Sequence, residues 1–258
     1  MQWIDSGILV SLRKHGENSV IIHAFTRDHG RAAGLVRGGV GRRLRGILQP
    51  GNELRLSWRG RLAEHLGSFT VEAEKTRAGL LFEAGDALIA ASTALSLLDI
   101  VLPEGEAHPA LFEATGLLLD ALGDAPEHWP LLLARWELGL LHEIGYGLDL
   151  SHCVVTGATA DLVYVSPKSG RAVSREAGRP YHDRLLPLPA FLRRAALGPE
   201  AAEALPPDEI SEADFLSALR LTGYFLEKFM AGHHPKAQLA ARGRMMAALA
   251  RKYGENAP

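Results

Sequence analysis

A ten-residue segment from Arg37 to Gly46 has the residue types that would bind a chain of phosphates. It contains four arginines and four glycines. An arginine guanidinium presents a planar fork of N–H donors that matches phosphate oxygens, and glycine leaves the backbone flexible and unobstructed. The segment lacks the Gly-Lys-Ser/Thr end of a nucleotide-binding P-loop. We therefore expect a flexible cationic loop that follows a nucleic-acid backbone, with a disordered surface loop as the alternative.

Charge is distributed unevenly along the 258 residues of the chain. The formal net charge is -2, yet residues 1–61 hold 11 basic residues against four acidic ones. The rest of the chain therefore carries a net charge of -9. This asymmetry favours a polyanion-binding module joined to a neutral or acidic body. The candidate binding residues are Arg37, Arg42, Arg43 and Arg45 and, in second place, Arg13, Lys14, Arg27 and Arg31.

The N-terminal part has the pattern of a small β-barrel. In the segment Asn52–Arg59, apolar and polar residues alternate, so that Leu54, Leu56 and Trp58 face a core. Five short strands within about 75 residues, separated by turns, predict a closed barrel. The predicted strands are Gly7–Arg13, Val20–Thr26, Ala33–Arg37, Asn52–Arg59 and Leu62–Val71.

The remainder reads as mostly helical, with an irregular or β-like stretch at residues 146–200. Ser211 followed by Asp214 has the spacing of a helix N-cap and its capping box. Within the β-like stretch, Leu162–Val165 and Arg171–Ser174 are the predicted strands. The other predicted helices are Leu80–Leu102, stopped by Pro103; Ala107–Leu122, stopped by Gly123; Trp129–Ile144; and Lys236–Tyr253.

Several short motifs in one order along the chain resemble the RecO family of bacterial recombination mediators. The motifs are Gly16–Ser19, Thr26–Arg31, Arg37-Gly38, Leu48–Gly51 and Glu137–Asp149, followed by Cys153. The resemblance implies an α+β protein. Its N-terminal OB-fold barrel would span residues 1–78 and its helical domain residues 79–258, with a small zinc-ribbon-like insertion at 146–195 that lacks most metal ligands.

The resemblance also implies an activity and partners. It implies a non-enzyme that binds and anneals single-stranded DNA, also binds double-stranded DNA, and helps load RecA onto DNA coated by single-strand-binding protein. The implied protein partners are RecR, which would contact the barrel, and the acidic C-terminal tail of single-strand-binding protein, which would dock on the helical domain. The eight cationic candidates then become candidate DNA-binding residues. An OB-fold RNA-binding protein and a protein-interaction scaffold remain as alternatives.

The insertion departs from the zinc-binding form of the family, in which two Cys-x-x-Cys pairs supply four thiolates. Here Cys153 matches the first position, while Thr156, Ser174 and Ala177 match the others. Because structural zinc requires four Cys or His ligands, we expect a metal-free remnant and no cofactor. The nearby His152 and His182 would have to substitute if any metal were bound.

No catalytic or membrane motif is evident. His142-Glu143 lacks the second histidine of the His-Glu-x-x-His zinc motif, and Cys153 has no base partner in sequence. No apolar run approaches the length of about 20 residues that a membrane helix requires. The start of the chain does not resemble a signal peptide. We expect a cytoplasmic, nucleoid-associated non-enzyme. The aromatic candidates for base stacking are Trp3, Phe25, Phe69 and Trp58, of which Trp58 should be a core residue.

Overall fold

The computed structural model describes residues 1–61, 66–196, 210–234 and 239–253. The chain divides into two compact units, Met1–Trp129 and Pro130–Pro258.

The first unit begins with a closed five-stranded barrel, so the predicted barrel is confirmed. Its strands follow the order β1-β2-β3-β5-β4, and β1 pairs with β4 to close it. Neighbouring strands are antiparallel except β3 and β5, which are parallel. This order is the one expected of an OB-type barrel. The strands are β1 (Gln2–His15), β2 (Ser19–Thr26), β3 (Gly30–Val36), β4 (Glu53–Arg59) and β5 (Gly67–Lys75).

Alternation along the strands fills the barrel. On β4, Leu54, Leu56 and Trp58 are buried in the barrel core, as predicted, while Arg55 and Arg59 face outward and are exposed. Side chains from the other strands complete this core, and the helical turn that follows β3 adds Leu44 at its margin. The fifth strand begins at Gly67, and the start of the predicted strand at Leu62 lies outside the described residues.

The arginine- and glycine-rich segment is more ordered than a flexible loop. A turn at residues 37–40 leads into a single helical turn, α1 (Arg42–Arg45). The amide of Leu44 donates to the carbonyl of Gly41 at 3.1 Å, and the amide of Leu48 donates to the carbonyl of Leu44 at 2.8 Å. Because Leu44 packs against the barrel core, it anchors the turn and directs the neighbouring arginines outward.

Three helices complete most of the first unit: α2 (Ala78–Glu83), α3 (Asp86–Val101) and α4 (Pro109–Asp124), before a 3₁₀ turn at Pro126–His128. The prediction of a single helix from Leu80 to Leu102 is therefore wrong. The helical segment is interrupted at Gly85, whose positive φ of 55° suits glycine. The predicted stop at Gly123 is also wrong, because α4 continues for one more residue to Asp124. Helix α3 packs against β1 and β2.

Helix α5 (Trp129–Glu143) starts at the last residue of the first unit and enters the second. The second unit also contains α8 (Glu212–His233) and α9 (Ala240–Tyr253), which pack together. The predicted capping box at Ser211 and Asp214 is confirmed, with both reciprocal hydrogen bonds present. The start predicted for the last helix, at Lys236, lies outside the described residues.

A buried ion pair joins three helices of the second unit. Arg242 on α9 donates two hydrogen bonds to the carboxylate of Glu137 on α5, at 2.8 and 2.9 Å. Thr222 on α8 donates a third to the same carboxylate. Although burial opposes its charge, the Glu137 carboxylate raises the pKa of Arg242. The pair fixes the position of α9 within this unit.

Between α5 and α8 lies the small insertion. Its three-stranded sheet has the order β7-β6-β8, and the predicted strand Leu162–Val165 is confirmed as β6. The predicted partner strand is β7, one residue shorter than expected at its start. The remaining elements are β7 (Ala172–Ser174), α6 (Arg175–Gly178), a 3₁₀ helix at Arg179–Arg184, β8 (Leu186–Pro187) and α7 (Ala190–Ala196). Across the described ranges, no helix has the length and apolar character needed to cross a membrane.

Candidate nucleic-acid interface

Helix α1 presents three arginines to solvent. Arg42, Arg43 and Arg45 are exposed, while Leu44 between them is partly buried and packs against the barrel core. Within the described residues, no ion pair or hydrogen bond involves the guanidinium groups of these arginines or of Arg37, which precedes the turn; the backbone carbonyl of Arg45 accepts a hydrogen bond from the Gln49 side chain at 2.7 Å. No described residue therefore competes with an anionic ligand for the donors of these guanidinium groups.

Two grooves flank α1. A groove of about 430 Å³ is lined on its rim by Arg37 and Arg43 and on its floor by apolar residues of β3 and β5. A second groove of about 310 Å³ is lined by Lys14 from β1 and Arg45 from α1. Because residues two apart on a helical turn face nearly opposite ways, Arg43 and Arg45 serve different grooves. Five of the eight predicted residues thus come together around α1.

Arg13 and Arg27 lie outside these grooves. Arg13 is exposed near the end of β1, next to Lys14. Arg27, in the turn between β2 and β3, forms an ion pair of 3.1 Å with Glu113 on α4. Both partners of that pair are more than half exposed, so water and salt weaken the interaction.

Arg31 has a structural role. Its Nε donates to the carbonyl of Leu102 at 2.9 Å, and its Nη1 lies 3.4 Å from Asp99 and 3.3 Å from Glu104. Only 15% of the side chain is exposed. Sequence reasoning grouped Arg31 with the DNA-binding candidates because the acids that neutralise it lie about 70 residues away. We leave it out of the interface.

Acidic residues of the helices neutralise one side of the barrel. Residues 62–129 contain twelve acidic residues and only two basic ones. On α3, Asp99 accepts from Ser11 at 2.9 Å and lies 2.7 Å from the Nδ1 of His23. Although burial opposes its ionisation, hydrogen bonds from His23 and Ser11 lower the pKa of Asp99. The cations of β1 to β3 that face the helices are therefore paired, whereas no acid in the described part of the chain pairs with those of α1.

Arg59 joins the interface, and sequence reasoning missed it. It lines the groove of Arg37 and Arg43 and also a neighbouring groove of about 620 Å³. The alternation of β4 places Arg55 and Arg59 on the same outer face, but it does not say which residue lies opposite each of them. Strand register decides this: Arg55 lies opposite the acidic Glu72, whereas Arg59 lies opposite Ser68.

The aromatic candidates are mostly core residues. Phe25, Trp58 and Phe69 are each at most 5% exposed, which confirms the expectation for Trp58 and excludes the other two as stacking platforms. Trp3 is partly buried and stacks on the ring of His29 with a centroid distance of 4.3 Å. Its ring also stacks on Trp58, at 5.7 Å.

Comparison with known proteins agrees with this architecture. A family model described as Recombination protein O N terminal matches residues 1–77, and one described as Recombination protein O C terminal matches residues 83–238. The chain belongs to the RecO family of DNA repair proteins.

Curated RecO proteins match nearly the whole chain. DNA repair protein RecO of Ruegeria sp. is 47% identical over 255 residues, which cover 98% of this chain and 100% of that protein. DNA repair protein RecO of Roseobacter denitrificans is 48% identical over 245 residues, covering 94% and 96% respectively. The RecO protein of Beijerinckia indica is 46% identical over 258 residues, covering 100% of this chain and 99% of that protein.

The zinc ribbon expected of the RecO family does not fit the donors present here. Of the four matching positions only Cys153 supplies a thiolate, and its sulfur accepts a hydrogen bond from the Ser174 amide at 3.3 Å. Although burial opposes ionisation, hydrogen bonds from Ser174 and Thr156 lower the pKa of Cys153 to about 6. In place of three further thiolates, these hydrogen bonds hold the turn around Cys153.

The histidines named as substitutes are engaged elsewhere. The Nε2 of His152 lies 2.6 Å from Arg171, and the Nδ1 of His182 lies 3.2 Å from the carbonyl of Arg179. In the ranges that the structure covers, no cluster of three or more His, Cys, Asp or Glu side chains is arranged to hold a metal ion.

Proposed function

We propose that this member of the RecO family is a recombination mediator that binds and anneals single-stranded DNA through the cationic side of its barrel. It also binds double-stranded DNA and, together with RecR, helps load RecA onto DNA coated by single-strand-binding protein. It acts without catalysis, in the cytoplasm at the nucleoid. Family membership and the name DNA repair protein of its relatives support the setting. The geometry of α1 supports the binding mode.

One observation carries the proposal: the exposed arginines around α1 have no acidic partner in the parts of the chain that are described. A guanidinium that is already paired must lose its partner before it binds a phosphate, whereas these arginines exchange only water and counterions. Of the barrel arginines that face the helices, Arg31 is already neutralised by Asp99 and Glu104, and Arg27 forms only an exposed pair with Glu113. The proposed contacts are Arg37, Arg42, Arg43, Arg45, Lys14 and Arg13, with Arg27 at their edge.

Annealing follows from the same arrangement. Two complementary strands repel each other through their phosphates, and the repulsion falls when both strands lie on one cationic surface. The two grooves flank a ridge only one helical turn long, and each has its own cation in Arg43 or Arg45. Because phosphate contacts carry no sequence information, annealing should be indifferent to sequence.

Family membership alone supports the two proposed protein partners, RecR and the tail of single-strand-binding protein. The sequence offers Arg135, Lys228, Arg242 and Arg244 as cations for a pocket that takes the acidic tail of single-strand-binding protein. Of these, Arg242 is committed to Glu137, and Lys228 donates to two carbonyls of the insertion. Arg244 is exposed on α9 and is the better candidate. We keep the tail contact and the RecR contact as proposals.

The decisive experiment is a fluorescence-anisotropy titration of the full chain with labelled single-stranded DNA across salt concentrations. With the six proposed phosphate contacts, the logarithm of the affinity should fall with the logarithm of salt with a slope of about -4. Complementary oligonucleotides added afterwards should anneal faster with the protein than without it. Absence of binding at low salt would instead favour a protein-interaction scaffold, and preference for RNA in competition would favour an RNA-binding protein.

A further inference from the structure

The side of the barrel that usually receives oligonucleotides is largely covered here. Five-stranded OB-type barrels usually bind single strands across strands 2 and 3. In this protein the outer side chains Ile8, Val10, Ile21 and Phe25 of β1 and β2 are buried, because α3 packs against both strands. The ring of Phe25 also contacts the ring of Phe112 on α4, with a centroid distance of 5.9 Å.

The outer face of β3 is only partly available. Arg31, near its start, is bound to α3 and to the segment that follows α3. Further along the strand, Leu35 lines the groove of Arg37 and Arg43. The open outer surface of the barrel therefore begins at the end of β3 and extends onto β5 and β4.

Two grooves join on that open surface. The groove of about 430 Å³ beside α1 and the groove of about 620 Å³ beside β1 share Arg59, Ser68 and Thr70 as lining residues. Beyond Arg59 the second groove is lined by Trp3 and Ile4, and the Ile4 side chain is 59% exposed. A continuous path thus leads from the arginines of α1, over Arg59, to an apolar floor edged by hydroxyl groups.

Charge sets the direction of this path. On β4 and β5 the end near Arg59 is cationic, whereas the other end carries Glu72 and Glu74. Arg55, which faces outward like Arg59, lies opposite Glu72. An anionic chain is attracted to the Arg59 end and repelled from the other, so that it runs from Arg59 toward α1.

An apolar floor beside a row of exposed arginines, none of which forms an ion pair with a described residue, matches a ligand with both a phosphate backbone and exposed planar bases. A single strand offers both, whereas the bases of a duplex are stacked inside it. The hydroxyls of Ser57, Ser68 and Thr70 can bond to base edges or phosphate oxygens.

We propose that single-stranded DNA crosses the β4–β5 wall of the barrel, with its phosphates on Arg37, Arg43 and Arg59 and its bases against Trp3 and Ile4. This inference rests on the proposed function and adds a base-contacting site away from the β2–β3 face. Arg59 is the binding residue that links the two grooves.

The chain offers a matched pair of variants to test the link. Arg59→Ala and Arg55→Ala remove the same charge from the same face of the same strand. Loss of one phosphate contact should reduce the salt slope by about 0.7, which is about fivefold in affinity at about 0.1 M salt. We expect this loss for Arg59→Ala and a change below about twofold for Arg55→Ala. Equal effects of the two variants overturn the path, provided that the unmodified protein binds single-stranded DNA; if it does not, the proposed function itself fails.

A second pair tests the base contact. Ile4→Ala and Leu80→Ala truncate side chains of similar exposure, 59% and 57%, but Leu80 lies on α2. The unmodified protein should bind oligothymidine more tightly than an abasic phosphodiester of equal length, and Ile4→Ala alone should reduce this preference by about threefold. The inference is overturned if Ile4→Ala leaves the preference for oligothymidine unchanged. It is also overturned if, with an acidic peptide as a second probe, Arg59→Ala loses affinity for the peptide but none for the oligonucleotide.

Photo-crosslinking locates the bases directly. An oligonucleotide carrying iodouracil should crosslink to the tryptic peptide of residues 1–13, which contains Trp3 and Ile4. Crosslinks confined to residues 15–27, which hold β2, would place the strand on the covered face and overturn the inference.

Discussion

Removal of the three arginines of α1 should weaken single-strand binding without weakening the fold. The variant is Arg42→Ala/Arg43→Ala/Arg45→Ala. None of the three is buried, and no ion pair involves them in the described ranges. Alanine is the strongest helix former, and Leu44, which anchors the turn, is kept. The free energy of unfolding should therefore change by no more than about 0.5 kcal/mol.

The size of the binding defect follows from the number of contacts. Each phosphate contact on a single strand contributes about 0.7 to the slope of log affinity against log salt. Three contacts then contribute about 2, so affinity at about 0.1 M salt should fall about a hundredfold. Reversal of the same residues to glutamate adds repulsion, and it should abolish annealing.

The assay is anisotropy with a labelled oligonucleotide at several salt concentrations, followed by annealing of a quenched pair of complementary strands. A control with equal net charge is Arg220→Ala/Arg244→Ala/Arg251→Ala, which removes three exposed arginines of the second unit. Near-native affinity is expected of that control. Circular dichroism and urea unfolding verify that both variants fold.

Two results would refute the reasoning. If the variant of α1 keeps both its affinity and its salt slope, the phosphates lie elsewhere. If the control loses as much affinity as the variant of α1, only overall charge matters, and α1 has no special role.

Three further predictions concern the fold. Gly30→Ala should destabilise the protein more than Gly16→Ala: both residues have positive φ, 66° and 64°, but only at Gly30 would the new Cβ strike a facing backbone. Urea unfolding measures the difference, and equal losses would contradict it. Arg242→Met should lower the free energy of unfolding by about 3 to 5 kcal/mol, because it leaves the Glu137 carboxylate buried without its cationic partner. The added change Glu137→Leu should restore much of the lost stability. A double variant no more stable than the single one would contradict this prediction. Cys153, the only cysteine, should titrate with a midpoint of about 6 by thiolate absorbance rather than at its ordinary value of 9.0. Since the folded state favours the thiolate, its stabilising effect should be complete above pH 9.0 and lost as pH falls to about 6, and a pH-independent stability difference from Cys153→Ala would contradict this.

Residues close in sequence were predictable because their interactions are local. The alternation of Leu54, Leu56 and Trp58 gives the inner face of β4, since side chains along a strand point to opposite sides in turn. The capping box of Ser211 and Asp214 likewise depends on a spacing of three residues. Family membership followed from co-linear motifs spread over the chain.

Predictions failed where a contact with a distant segment, or a special backbone conformation, determines the local secondary structure. Leu80 to Leu102 is apolar enough for one helix, but the positive φ of Gly85 divides it. The segment 37–46 reads as a flexible loop, yet contact between Leu44 and the barrel core stabilises a helical turn within it. Neither the local residue pattern nor the composition of this segment predicts the contact between Leu44 and the barrel core.

The sequence by itself determined the strands, the capped helix, the excess of positive charge in the first 61 residues and the loss of the zinc ligands, because each depends on residue type or short spacing. Only the tertiary structure decided which of those charges can bind a ligand. Arg31 and Arg42 have the same side chain, but Asp99 and Glu104 reach the first across the fold, while no acid among the described residues pairs with the second. The physical reason is that an ion pair depends on distance in space, which strand register and helix packing set, and not on separation along the chain.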